Sequence, residues 1–155
     1  MMSAKYYKVN HHRIPELRGY NVTIWIDGSF AILSPDFAQW CVGLLEGEID
    51  FVVLRARASN LRDETMRTYA LARKYRGQQI LKQEARYSQE GFPDDQGIWA
   101  GGFIVRRLAS RHVSLAMDLW WREIQSGSYQ DQLSLPYVRW RIPGLRLHVA
   151  EGDVY

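Results

Sequence analysis

The sequence predicts an α/β fold, a sheet with helices on both faces, and three segments carry that prediction. Val22–Ile26 is an apolar, β-branched run that ends on Asp27-Gly28 and reads as a strand. Residues 50–54, Asp-Phe-Val-Val-Leu, form a second run of this kind. Neither alternates with polar residues, which suits strands covered on both faces, as in a parallel sheet flanked by helices. In residues 110–126, Val113, Ala116, Met117, Trp120 and Ile124 trace one face of an amphipathic helix.

The remaining elements follow in chain order. Residues 5–20 hold His11-His12, Pro15 and Gly19 and read as a loop with one helical turn. Adjacent histidines on an extended chain point apart, so they make a poor chelating pair and are expected on a surface loop. Beyond Gly28, residues 29–33 read as a short resumed strand. Ser34-Pro35-Asp36 opens a helix through Leu45, with Gly47 after its end. Its expected buried stripe is Phe37, Trp40, Cys41, Leu44 and Leu45. Residues 55–60 form a basic loop, and 61–75 read as a helix with Met66, Tyr69, Ala70 and Ala72 available to pack. Gly77 breaks it, and 78–89 form another helix carrying Ile80, Leu81 and Tyr87. Residues 91–97 are dense in turn formers, and Asp94-Asp95 is expected to shape that turn. Residues 98–106 read as a strand entered through Gly101-Gly102. Gly127 ends the long helix, and Ser128 resembles the N-cap of the next, with Asp131 three residues on as a helix-start carboxylate. Residues 145–149 form a last strand holding His148.

Composition narrows the class. The chain has 155 residues, 46% of them hydrophobic, enough for one compact domain spanning residues 1–155. No run approaches the length of a membrane span, and the first thirteen residues lack the apolar segment of a signal peptide. The single cysteine, Cys41, rules out an internal disulfide framework and fits a reducing compartment, so a cytoplasmic location is expected. The formal charge of +3 is mild, and acids lie among the basic residues. That pattern argues against nucleic acid, which draws a concentrated basic face. The dinucleotide-binding glycine fingerprint and the phosphate-loop lysine pattern are both absent.

Several residues are positioned for chemistry. Ligands of α/β sheets bind beyond the carboxyl ends of the strands, which is where Asp27 stands. Ser29, two residues on, shares its face on an extended chain, so both oxygens are available to one ligand. Arg57 follows the end of the second strand. The Gly101-Gly102 pair lets the backbone approach a ligand closely at Gly102, or marks a bend. Trp121 stands beside the packed face of the long helix, where packing and stacking on a sugar are both open to it.

Five segments, taken together, resemble a known family. They are Trp25-Ile26-Asp27-Gly28, Glu90-Gly91-Phe92-Pro93, Gly102-Phe103-Ile104-Val105-Arg106, Trp120-Trp121-Arg122-Glu123-Ile124 and Asp131-Gln132-Leu133-Ser134-Leu135-Pro136-Tyr137. Their order and spacing from about residue 5 to 140 are similar to a glycosyltransferase-like family long catalogued as a domain of unknown function. It occurs in bacteria, phages and, as hexosyltransferase-like proteins, plants.

The resemblance implies a nucleotide-sugar transferase fold of the GT-A type, an α/β/α sandwich with a mixed sheet. It implies hexosyl transfer from a nucleotide sugar to a hydroxyl acceptor, aided by Mn²⁺ or Mg²⁺. Asp27 then stands as the first acid of an Asp-x-Asp element, with Ser29 in the place of the second. Asp131 and Gln132 are expected to orient sugar hydroxyls, Arg57 or Arg106 to neutralise phosphate, and His148 to match a late histidine metal ligand. Family members usually carry arginine before the Asp-Gln pair, where this chain has Gln130. Twenty-one residues precede Val22, whereas two base-holding strand–helix units need roughly 60. The expectation is therefore a fold shortened at its N-terminus, with either a partner or second copy completing the site or the donor pocket left open. The alternatives are a non-catalytic carbohydrate- or nucleotide-binding relic of the fold and, behind it, a basic nucleic-acid-binding domain.

Overall fold

The structure, a computed structural model, describes residues 2–71, 73–93 and 95–150. Ala72 and Asp94, to which the sequence assigns a packing and a turn role, lie outside the described residues.

Four strands form one mixed sheet in the order β1-β3-β2-β4. They are β1 (Val22–Ile26), β2 (Phe51–Arg55), β3 (Trp99–Arg107) and β4 (Leu147–Ala150). β3 pairs antiparallel with both β1 and β2, while β4 runs parallel to β2 in the register Phe51 to Leu147. The β2–β3 ladder shifts register between Val53 and Leu54.

Six α-helices are described: α1 (Met2–Val9), α2 (Phe37–Gly43), α3 (Leu61–Leu71), α4 (Ile80–Gln89), α5 (Arg111–Ser126) and α6 (Leu135–Arg141). None of the described helices is long and apolar enough to cross a membrane.

Strand periodicity divides the core. Phe51, Val53 and Ile104 pack on one face against Val113, Met117 and Trp120 of α5 and Leu135 and Val138 of α6. Val52, Leu54, Phe103 and Val105 face the other way, onto Cys41 and Leu45. A third cluster lies beside the sheet, where the rings of Tyr87 and Tyr137 stack at 3.9 Å. β2 is buried from Phe51 to Leu54, as its unbroken apolar run requires.

β1 differs from expectation in being an antiparallel edge strand. Ile24 and Ile26 pack on the Cys41 side and Trp25 on the α5 side, so both faces are covered, though only partly. No second strand follows Asp27. The Phe30 N–H donates to the Asp27 carbonyl at 3.0 Å, closing a turn, and Leu33 beyond it is 92% exposed.

α5 forms as the sequence predicts. The Ser110 hydroxyl accepts from the Val113 N–H at its start. Gly127 at its end makes room for the Gln83 side chain, whose Cδ lies 2.3 Å from where a Cβ would be. α3 is rotated from the expected face: Leu61, Thr65 and Thr68 are buried, whereas Met66 and Tyr69 are exposed. Trp40 and Leu81 are likewise exposed.

The largest departure is at the N-terminus, where the expected loop is a helix followed by two short 3₁₀ turns. α1 lies on α5, with Tyr6 edge-on to Trp121 at 5.5 Å. His11, expected on the surface, is buried. That burial, together with the neighbouring Arg106 charge, pulls its pKa down to about 2, so it is neutral.

Candidate functional site

A cleft of about 470 Å³ opens at the end of β1. Its floor is the β1 exit and the Gly101-Gly102 stretch of β3; its walls come from α1, α3, the Lys74-Tyr75 turn and residues 130–132. Asp27 is held there by the ladder itself, since its N–H donates to the Gly102 carbonyl at 2.7 Å.

At the centre lies a buried ammonium. Lys8 Nζ is 2.5 Å from Asp131 Oδ2 and 3.6 Å from Asp27 Oδ1, with its side chain only 2% exposed. Lys5, three residues earlier on the same helical face, donates to Asp131 Oδ2 at 2.7 Å. Trp25 Nε1 donates to Asp27 Oδ1 at 2.7 Å. Asp27 therefore has one oxygen fixed from behind, and its side chain remains 43% exposed to the cleft.

Asp131 is turned inward. Burial works against its charge, but the ammoniums of Lys8 and Lys5 outweigh it and hold the carboxyl below the ordinary aspartate value. Its backbone carbonyl accepts from Trp120 Nε1 at 3.0 Å, which ties the residue to α5. It opens a 3₁₀ turn, Asp131–Leu133, as its helix-start position suggested. The carboxylate binds lysines, and capping is not its role.

The glycine pair has a steric reason. A Cβ at Gly101 would stand 3.0 Å from Lys8 Nζ. One at Gly102 would stand 2.9 Å from Phe30 and 3.5 Å from Asp27 Oδ2. Side chains at either position would crowd the charged centre or the cleft floor.

The outer wall is polar. Tyr75, its pKa pushed up to about 12 by burial, donates its hydroxyl to Gln130 Oε1 at 2.6 Å. Gln130 Nε2 donates to Glu64 and to Gln132 Oε1, each at 3.1 Å. Gln130 thus orders this wall, and Lys5 and Lys8 supply the cations beside Asp131.

Asp27, Ser29, Gly102, Asp131 and Gln132 all line this one cleft. Four expected site residues do not. Arg106 is buried beneath α1, its Nη1 donating to the Lys8 carbonyl at 2.5 Å. Burial lowers its pKa to about 9, and it anchors the end of α1, out of reach of a substrate phosphate. Trp121 packs on Tyr6 outside the cleft. Arg57 lines a separate concavity with Ser59 and Trp99. His148 is exposed on β4 at the opposite edge of the sheet, about 14 Å from β1 at ordinary strand spacing, so it cannot share an ion with Asp27.

The residues present do not fit a divalent ion at Asp27. Mg²⁺ and Mn²⁺ favour several hard oxygen ligands carrying charge. Asp27 with Ser29 offers one carboxylate and one hydroxyl, and the space between Asp27 and Asp131 is taken by Lys8. Among the described residues no three His, Cys, Asp or Glu side chains are grouped to hold a metal.

Lys5, Lys8 and Trp25 were missed in the sequence as site residues. The three-residue spacing of the lysines was the available signal, hidden because the segment read as a loop.

The TOD1/MUCI70 glycosyltransferase-like domain is matched over residues 2–150. The chain belongs to this family. The match includes α1, and so takes in both lysines along with Asp27 and Asp131. No curated protein and no solved structure matches the chain.

Proposed function

We propose that this TOD1/MUCI70-family domain transfers a hexose from a nucleotide sugar to a hydroxyl acceptor, using the cleft at Asp27 in a fold of the GT-A type. One observation carries the reading: Asp27, at the end of β1, is fixed by Trp25 and Lys8 on one oxygen while its side chain opens into a polar cleft. A carboxylate held in that way accepts a hydrogen bond from a sugar or acceptor hydroxyl without reorganising. Gln132, Gln130 and Glu64 on the wall offer further partners for sugar hydroxyls. Asp131 is a positioning residue, because its carboxylate is spent on Lys5 and Lys8.

In the reaction the bond from the anomeric carbon to the phosphate oxygen breaks and a bond to the acceptor oxygen forms. Asp27 takes the acceptor proton and the nucleoside diphosphate leaves. The test is a panel of nucleotide sugars with sugar and polyol acceptors, reading release of nucleoside diphosphate. Asp27→Asn should lower turnover about a hundredfold or more, the scale of a lost general base, with little change in melting temperature. Nucleotide sugars that stabilise the protein without any turnover would point instead to a binding module.

A further inference from the structure

We propose that the cleft binds the phosphate groups of its substrate on side-chain cations without a divalent ion, and that Lys8 holds the position a bridging metal would need. The inference rests on the nucleotide-sugar reading of the cleft and specifies how its anionic part is held.

The geometry at the centre is that of a cation shared by two carboxylates. Its nitrogen lies 2.5 Å from Asp131 and 3.6 Å from Asp27. It is not an incidental surface lysine. Its side chain is buried, its backbone carbonyl is gripped by Arg106, and the strand beside it carries a glycine where a Cβ would approach Nζ to 3.0 Å. A divalent ion brought to Asp27 would meet this ammonium within a few ångströms, and like charges in a partly buried site repel strongly.

The charge that the phosphates require is present elsewhere in the cleft. Lys5 keeps part of its side chain open to solvent beside Asp131. Arg67 and Lys74 line the opposite wall, both on exposed positions of α3 and the turn after it. Arg67 shares the face of α3 that also presents Glu64 and Thr68 to the cleft. Lys74 Nζ lies over the Tyr75 ring at 4.8 Å, a cation–π contact on the cleft wall. Asp27 and Asp131 are already offset by Lys8 and Lys5. The α3 wall is thus where an incoming diphosphate finds cations whose charge those two carboxylates do not neutralise.

Calorimetric titration of the full chain with sodium pyrophosphate, in EDTA and then in Mn²⁺ or Mg²⁺, tests this. Binding should be present in EDTA and change less than about threefold on adding metal. Arg67→Ala and Lys74→Ala should each weaken it about tenfold, the cost of one charge-assisted contact, with melting temperatures unchanged. Binding that appears only with metal, binding that the double variant leaves intact, or no binding under any condition would each overturn the inference. The glycosyl-transfer reading fails separately. Transfer that depends on Mn²⁺ keeps that reading and sinks this inference. Metal-free pyrophosphate binding lost in the variants, with no nucleotide sugar bound or turned over, keeps the phosphate site and sinks the transferase.

Discussion

Lys8 sets the electrostatics of the cleft, and its partner Asp131 shows what that arrangement is worth. Removing one member of a buried ion pair leaves the other charge uncompensated, which costs about 3–5 kcal/mol. Asp131→Asn leaves Lys8 with only its longer 3.6 Å contact to Asp27 and Lys5 without its acceptor, so a loss toward the lower end of that scale is expected in chemical denaturation. The pH dependence follows in sign. The folded pKa of Asp131 lies below its ordinary 3.8, so its contribution is full above that value and disappears as pH falls through the folded pKa. Stability of the native protein should therefore drop below about pH 4, with a shallower slope in Asp131→Asn. A variant as stable as the parent, with the same acid limb, would show that the pair is electrostatically idle.

At the scale of elements, the junction of α4 and α5 is the most constrained. Gln83 donates to the Tyr87 hydroxyl and the Glu123 carbonyl and accepts from the Ser128 N–H. It thereby gives the Ser128 N–H, just past the end of α5, an acceptor. Its amide fills the space over Gly127, so Gly127→Ala forces it out. The expected cost is about 1–3 kcal/mol, typical of overpacking, read as a fall in melting temperature. The diagnostic is non-additivity: in a Gln83→Ala background the same glycine change should cost almost nothing. Additive effects would mean that the glycine acts through its backbone alone.

Across the whole molecule, the sheet couples the layers. Val52 and Val53 are neighbours in β2, yet one belongs to the Cys41 cluster and the other to the α5 cluster. Neither layer can unfold without exposing the strand that the other packs upon. A single cooperative transition is expected, with tryptophan fluorescence and far-ultraviolet circular dichroism coinciding. Two separated transitions would show that the layers are independent units.

How far the chain could be read depended on the range of the interactions. The strands β2 and β3, the helix α5, and the strand-end position of Asp27 were legible because each is written in periodicity or in a local turn pattern. The ordered segments around Asp27 and Asp131 also carried the family. The Lys8 bridge was not legible. It joins residues 8, 27 and 131 through side chains from α1, the β1 exit and a 3₁₀ turn, and a weakly amphipathic eight-residue helix gives little periodicity to read. Arg106 misled for the same reason. The resemblance suggested a phosphate ligand, but only the packing of α1 over β3 turns it into a buried anchor for Lys8. The sequence by itself determined that β2, β3 and α5 form and which carboxylate ends the first strand, since those follow from neighbours in the chain. The tertiary structure alone decided which cation meets that carboxylate, because long-range ion pairs are set by how elements pack.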